Sequence, residues 1–161
     1  MNKSILNLGK TCTACMACFN ICPQDAIAMK EDPEGFLFPA IDEQKCNDCG
    51  LCDQRCPELN KPTANAEESL VQHGYYGWHN NDEVRKLSSS GGVFSALAET
   101  VLADDGVIFG AIYDVESNIV KHTNSTSDDW TKMRKSKYVQ SYIGDAFKQA
   151  KNFLIQGKFV L

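Results

Sequence analysis

CTACMACFNICP occupies residues 12–23, and CNDCGLCDQRCP follows at residues 46–57. Both stretches place two, two and three residues between successive cysteines, and both end on a proline. Together they contain all eight cysteines of the 161-residue chain, so the 105 residues after Cys56 contain none. This internal repeat is the feature that decides the fold of the first part of the chain.

Three chemistries use cysteines at such spacings. Disulfides need an oxidising compartment, and the N-terminus lacks the long apolar core of a secretory signal. Zinc binds four thiolates, which leaves the third and fourth cysteines of each run without a purpose. A 4Fe-4S cluster takes three thiolates from one run and its fourth from the other run. The spacing therefore favours two 4Fe-4S clusters, with zinc and disulfides as the alternatives.

This exchange of ligands predicts the two cluster sites residue by residue. Cluster 1 is expected on Cys12, Cys15, Cys18 and Cys56, and cluster 2 on Cys46, Cys49, Cys52 and Cys22. Between the runs, residues 26–30 and 36–41 predict two short strands that join at a turn with Pro33 and Gly35. Such a hairpin can keep water off the clusters. Residues 1–60 thus resemble a bacterial two-cluster ferredoxin domain whose second closing strand is missing or replaced.

The composition limits the class of protein. Apolar residues make up 43% and charged residues 23% of the chain, which excludes a disordered tail, a collagen-like fibre and a basic nucleic-acid arm. No apolar run reaches 18 residues, so no membrane span is expected. Residues 1–60 carry five Lys or Arg and nine Asp or Glu, and the clusters add negative charge. That surface repels nucleic acid and suits a basic redox partner protein or subunit, although any single carboxylate can simply be solvated.

After the repeat, residues 61–69 (KPTANAEES) predict a linker, and the sequence pattern changes in residues 70–161. The pattern there predicts strands at 75–79, 107–113 and 119–122, and helices at 83–87, 93–102, 128–135 and 145–152. Residues 158–161 look like the start of a buried strand. Because an exposed apolar edge invites association, we expect the chain to be part of a longer protein. The alternative is a short protein whose last strand lies at an edge.

Two segments of the second part carry candidate binding chemistry. Ser88-Ser89-Ser90-Gly91-Gly92 precedes a predicted helix, where amides, hydroxyls and the helix dipole can cradle a phosphate or a flavin phosphate. The alternatives are that Ser90 only caps the helix and that the glycines serve packing. A basic stretch follows near the chain end: Lys132, Arg134, Lys135 and Lys137. These cations can pair with a cofactor phosphate or an acidic protein surface, or can form a solvated helix face.

The aromatic and histidine residues do not by themselves indicate a binding or catalytic site. Trp130 and Tyr138 can stack on an isoalloxazine ring, although aromatic residues are more often core residues. His73, His79 and His122 are isolated in the sequence, so they receive no catalytic role. The catalytic residues therefore stay unassigned.

The order of four segments is more specific than any one of them. The repeated cysteine motif is followed by SSSGGVFSALAETVL, DDGVIFGAIYD and RKSKYVQSYIGDAFKQAK. In this order they resemble the coenzyme F420 hydrogenase/dehydrogenase beta subunit family, whose members are cytoplasmic iron–sulfur flavoproteins. The resemblance implies an α+β chain with a ferredoxin-like domain at 1–60 and an incomplete α/β flavoprotein domain at 70–161. It also implies FAD, coenzyme F420 as a candidate substrate, and a flavin site at Ser88, Ser89, Ser90, Gly91, Gly92, Lys137, Tyr138 and Gln140.

Electron counting then connects the two parts. A flavin accepts two electrons and releases them singly, whereas each cluster exchanges one. The sequence therefore predicts a cytoplasmic oxidoreductase that passes electrons between a reduced (deaza)flavin or similar donor, FAD and two 4Fe-4S clusters. The main alternative is a ferredoxin-type electron-transfer module with no substrate of its own, which serves a separate redox enzyme. A third interpretation takes the two-cluster domain as folded and the rest as an unfolded tail.

Overall fold

The computed structural model describes residues 4–61 and 73–161, and the chain divides into two compact units, Met1–Val71 and Gln72–Leu161. The predicted linker at 61–69 lies outside the described residues except for Lys61. The predicted domains 1–60 and 70–161 stay a prediction. Within the described ranges, no helix has the length and apolar character that a bilayer crossing needs.

The first unit is built around two short helices and a hairpin. Helix α1 (Ala17–Ile21) follows the first cysteine loop, and α2 (Leu51–Arg55) follows the second. Strands β1 (Ile27–Glu31) and β2 (Leu37–Ile41) pair antiparallel, which confirms the predicted hairpin. Asp32 closes its turn, because one carboxylate oxygen accepts hydrogen bonds from the amides of residues 34 and 36.

A segment before the first cysteine closes the core of this unit. It begins with a 3-10 helix, Ser4–Asn7, whose Ile5 is buried with Ile27 and Cys56. The carboxylate of Asp53 on α2 accepts hydrogen bonds from the amides of Ser4 and Ile5, at 3.2 and 3.0 Å. The second cysteine motif therefore holds in place the segment that precedes the first.

The second unit combines helices with a hairpin. Its helices are α3 (Asp82–Lys86), α4 (Val93–Ala103) and α5 (Ala146–Ile155), with a 3-10 helix at Asp128–Met133 and strands β3 (Ile108–Asp114) and β4 (Ile119–Ser125). The strands pair antiparallel, and parallel bridges to Val160 and Tyr142 extend the hairpin at both edges. Its core contains Ala98, Ile108, Trp130 and Met133. The apolar stripe of α4 is wider than its buried face, since Val93 and Leu97 remain about half exposed.

Two expectations and one alternative for the second unit were wrong. Residues 75–79 form no strand: the His79 amide instead donates to the carbonyl of Gly91 at 2.7 Å. The helix expected at 128–135 is a 3-10 helix that ends at Met133. Ser90 does not cap α4, because the N-cap is Gly92, with φ of 76° and no side-chain hydrogen bond. The chain already makes a tight turn before the helix begins.

Candidate metal centres and a candidate anion pocket

The four cysteines predicted for cluster 1 surround a single cavity. This first cavity encloses about 360 Å³, including space open to solvent, and its lining contains Cys12, Cys15, Cys18 and Cys56. Its other walls are mainly apolar and come from the N-terminal segment, the first loop, both strands and the end of the second motif: Ile5, Leu8, Ala14, Met16, Met29, Pro39 and Pro57. The structure thus brings a cysteine from the second motif to the three cysteines of the first loop.

The four cysteines predicted for cluster 2 surround another cavity. This second cavity encloses about 320 Å³, again partly open to solvent, and its lining contains Cys22, Cys46, Cys49 and Cys52. The rest of the lining is more polar: Gln24, Ile27, Asn47, Gly50 and Leu51. Here the cysteine that comes from the other motif is Cys22, as the exchange of ligands requires.

The two loops reach this arrangement through the same backbone conformation. In the first loop, Ala14 and Met16 have φ of 52° and 58°; in the second, Asp48 and Gly50 have φ of 58° and 73°. Alternating left-handed residues curl a loop tightly and turn successive amides towards its concave side. The repeat in the sequence is therefore also a repeat in backbone geometry.

The chemistry of the donor set fits an iron–sulfur cluster. All eight cysteines are thiols. Burial raises the pKa of the Cys18 thiol to about 11, with smaller contributions from the neighbouring thiols. Thiolates crowded in this way need a positively charged partner, which a metal centre supplies when it displaces their protons. Among residues 4–61 and 73–161, no three His, Cys, Asp or Glu side chains converge closely enough to hold a single metal ion.

Comparison with known proteins agrees with the two cavities. Residues 11–59 match the family model of the 4Fe-4S dicluster domain. These residues form a ferredoxin-type iron–sulfur module. The chain is 35% identical over 51 residues to the ketoisovalerate oxidoreductase subunit VorC of Methanothermobacter marburgensis, a match that covers 30% of this chain and 65% of that protein. It is 33% identical over 46 residues to an uncharacterized ferredoxin of Methanocaldococcus jannaschii, covering 29% of this chain and 58% of the relative.

The reach of these matches is limited to the cysteine repeat. The chain spans less than two thirds of the length of each of these curated relatives. The match to the dicluster domain supports two 4Fe-4S clusters and electron transfer. The resemblance of the second unit to the coenzyme F420 hydrogenase/dehydrogenase beta subunit family, and with it FAD and coenzyme F420, stays a prediction.

A pocket in the second unit joins the two segments that the sequence singled out. It encloses about 460 Å³, including open solvent, and is lined by Ser88, Ser89, Gly92, Phe94, Ser95, Met133, Arg134, Lys135 and Ser136. The hydroxyl of Ser89 accepts a hydrogen bond from the Ser136 amide at 3.1 Å. The start of α4 and the basic stretch are therefore neighbours, although more than 40 residues separate them in the sequence.

Arg134 is a cation of this pocket whose orientation is set by its contacts. Its Nε donates to the hydroxyl of Ser95 at 3.1 Å, and its guanidinium lies 4.6 Å from the centre of the Trp130 ring. Ser95 is fully buried and is also hydrogen-bonded to Ser88 at 2.9 Å. Because these contacts fix Arg134, its charge is oriented before any ligand binds.

The remaining residues of the predicted flavin site are arranged differently. The ammonium group of Lys137 donates to three backbone carbonyls, those of residues 132, 133 and 134, and burial lowers its pKa. Tyr138 is 95% exposed, and neither it nor Gln140 lines the pocket. Gly91 has a packing role, since a Cβ there would lie 2.2 Å from the Gly77 carbonyl oxygen.

Sequence reasoning named Arg134 only as one of four cations that can pair with a cofactor phosphate, and it did not name Ser95. The available signal was a serine inside the otherwise apolar run Val93–Ala98, because a buried hydroxyl needs a partner. Trp130, considered as a stacking residue, is only 4% exposed and packs edge-on against Phe94, at 5.9 Å between ring centres. It belongs to the core and supports Arg134.

Proposed function

We propose that this chain is a ferredoxin-type electron-transfer module that holds two 4Fe-4S clusters by exchanged ligands. The first cluster is held by Cys12, Cys15, Cys18 and Cys56, and the second by Cys22, Cys46, Cys49 and Cys52. When bound, each cluster accepts and releases one electron at a time. The module serves a separate redox protein and needs no substrate of its own.

One observation carries this proposal. Two cavities of the first unit are each lined by four cysteines, three from one loop and one from the other motif. Four thiolates around one space are the donor set of a 4Fe-4S cluster. Apolar side chains would surround the first cluster, because Ile5, Met16 and Met29 line the first cavity and keep water away from it.

Paired cysteine substitutions test the exchange of ligands. Cys15→Ser with Cys56→Ser removes two ligands of the first site, so one cluster and about half of the iron and sulfide remain. Cys49→Ser with Cys56→Ser removes one ligand from each site, so both clusters are damaged. Anaerobic iron and sulfide analysis and EPR of the reduced protein count the clusters.

The two double variants are matched controls for each other, because each replaces Cys56 and one loop cysteine. If each cluster took all four ligands from its own motif, the outcomes would be reversed. Cys49→Ser with Cys56→Ser would then retain one cluster, and the exchanged assignment would be wrong.

A second function is favoured by the pocket of the second unit. We infer that this pocket binds the phosphate of a flavin nucleotide, which would make the intact protein an iron–sulfur flavoprotein oxidoreductase, with coenzyme F420 as one candidate donor. The serine hydroxyls, the first turn of α4 and the oriented guanidinium of Arg134 support this proposal, because all three favour an anion. The residues of this pocket fit a phosphate and do not select one flavin over another.

Binding of FMN and riboflavin tests this second function, because the two flavins differ only in the phosphate. Arg134→Met should weaken FMN binding about tenfold or more, the effect of one charge-assisted hydrogen bond, and leave riboflavin binding unchanged. Lys151→Met on α5 removes a positive charge away from the pocket and serves as the control. Flavin fluorescence measures both affinities. Equal losses for FMN and riboflavin, or equal effects of the two variants, would refute the phosphate site.

A further inference from the structure

The two cysteine loops have the same backbone but different side chains at matched positions. Met16, the fourth residue after Cys12, is 1% exposed and lines the first cavity. Its counterpart in the second loop is Gly50, and a Cβ added there would meet nothing within 4 Å. The first cavity therefore has an apolar cover at a position where the second cavity has none.

The cysteines follow the same asymmetry. Cys49 is exposed, whereas its counterpart Cys15 is only partly exposed. The cysteine that reaches across to the first cavity, Cys56, is 8% exposed, whereas Cys22 in the second cavity is partly exposed. Of the two sets of cysteines, the second is therefore the more exposed.

Charge differs in the same direction. The first loop, Cys12–Cys18, has no charged residue, and Glu58, a carboxylate that lines the first cavity, is paired with Lys61 at 2.6 Å. In the second loop, the exposed Asp48 stands between Cys46 and Cys49, and its carboxylate oxygen lies 3.9 Å from the Cys46 sulfur. Of the residues that lead into this loop, Asp42 is paired with Lys45 at 3.7 Å, and Glu43 adds a further negative charge. The rim of the second cavity is thus acidic.

We propose that electrons enter and leave the module over Cys49, at a docking surface for a partner protein with a basic patch. This inference rests on the proposed function. In each exchange the second site gives one electron to a one-electron partner through the Cys46–Cys52 loop. The second site then takes one electron from the first site. Met16 keeps the first site away from external partners, so that site acts as an internal store.

The physical argument is the short approach that electron transfer requires. An uncovered cysteine at the surface lets a partner come close to the second site, whereas Ile5, Leu8 and Met16 keep it away from the first. Opposite charges raise the rate of encounter and orient the partner, and the effect falls with ionic strength.

Two inorganic oxidants of opposite charge test the docking surface. The loaded protein is reduced with dithionite and mixed in a stopped-flow instrument with hexaammineruthenium(III) or hexacyanoferrate(III), each of which takes one electron. Asp48→Asn should slow the cationic oxidant about 20-fold at low salt, as expected when one charge is removed at roughly 7 Å from a trivalent cation in water, and should not slow the anionic oxidant. The difference should disappear at high salt. Glu31→Gln, at the turn end of the hairpin, is the matched control and should change neither rate.

A reciprocal pair of substitutions tests whether Met16 shields the first cavity and Gly50 leaves the second unshielded. Gly50→Met gives the second loop the side chain of the first, and the left-handed backbone there already accommodates methionine at Met16. It should slow oxidation by both oxidants. Met16→Gly opens the first cavity and should speed oxidation by both, because it gives electrons a second exit. A readout without turnover is the EPR relaxation of half-reduced protein by a soluble gadolinium chelate, which Gly50→Met should weaken.

Equal effects of Asp48→Asn and Glu31→Gln, or an unchanged rate in Gly50→Met, would overturn the proposed docking surface. Iron and sulfide are determined for every variant before the kinetics. If the unmodified protein binds no clusters, the proposed function fails. If all variants hold two clusters and the rates do not differ, only the location of the docking surface is wrong.

Discussion

Asp53 links the second cysteine motif to the segment before the first, and its replacement should loosen that segment over the first cavity. Its carboxylate accepts hydrogen bonds from the amides of Ser4 and Ile5, at 3.2 and 3.0 Å. Ile5 is buried and lines the first cavity. Asp53→Ala removes both hydrogen bonds without removing a cluster ligand. Its effect therefore reports on the Ser4–Asn7 segment and not on the ligands of the cluster.

The free energy lost in Asp53→Ala follows from these two hydrogen bonds. A hydrogen bond to a carboxylate in a partly exposed position contributes about 1 kcal/mol, so two contribute about 2 kcal/mol. The population in which Ser4–Asn7 is detached from the rest of the unit should then rise roughly 30-fold. Water and oxygen would reach the first site more often, while the second site would keep its wild-type exposure.

Two measurements check this expectation. Hydrogen exchange of the Ser4–Asn7 amides should accelerate by about the same roughly 30-fold factor in Asp53→Ala. In air, visible absorbance should decay in two phases, with about half of the clusters lost faster than in the wild type. Glu43→Ala removes an exposed carboxylate of the same unit and should change neither. If Asp53→Ala exchanges and decays like Glu43→Ala, the carboxylate does not hold the cover and the reasoning is refuted.

Two further predictions concern the second unit. Gly91→Ala should lower the free energy of unfolding by about 2 kcal/mol, because its Cβ would collide with the Gly77 carbonyl oxygen at 2.2 Å. Urea unfolding measures this loss, and Gly74→Ala, whose Cβ would meet nothing within 4 Å, is the control. Equal effects of the two variants would contradict the close approach at Gly91. The second prediction is a pH dependence. The hydrogen bond from Lys121 lowers the pKa of Asp114 from 3.8 to about 2, so the stability that this carboxylate contributes is complete above about pH 4 and is lost as the pH falls towards 2. Urea unfolding between these pH values should be less pH-dependent in Asp114→Asn than in the wild type, and identical slopes would rule out the contribution.

Local patterns predicted the first unit well. The cysteine spacing indicated two clusters, and the match of residues 11–59 to the dicluster domain supports them. The hairpin was predicted because apolar runs flank a turn with Pro33 and Gly35, and those signals act within ten residues. The assignment of ligands to each cluster stays a proposal that the two cavities support.

Side-chain roles in the second unit were predicted less well. Lys137 was expected near the flavin from the family resemblance and as one of four candidate cations, yet its ammonium group is occupied by three carbonyls at the end of the 3-10 helix. Arg134 was one of four cations in the same stretch, and only its contacts with Ser95 and Trp130 distinguish it. A charge in a sequence does not specify its partner, because the partner can lie 39 residues away.

The sequence by itself determined the kind of chemistry: cysteine spacing is a local property, and the turns within each loop follow from the few residues between the ligands. Only the tertiary structure decided which surfaces those ligands face. It placed Met16 over one cavity and left Cys49 exposed at the other, and it brought Ser88 and Ser89 to the basic stretch. The physical reason is that burial and electrostatic environment depend on contacts between distant segments, and loop spacing does not encode these contacts.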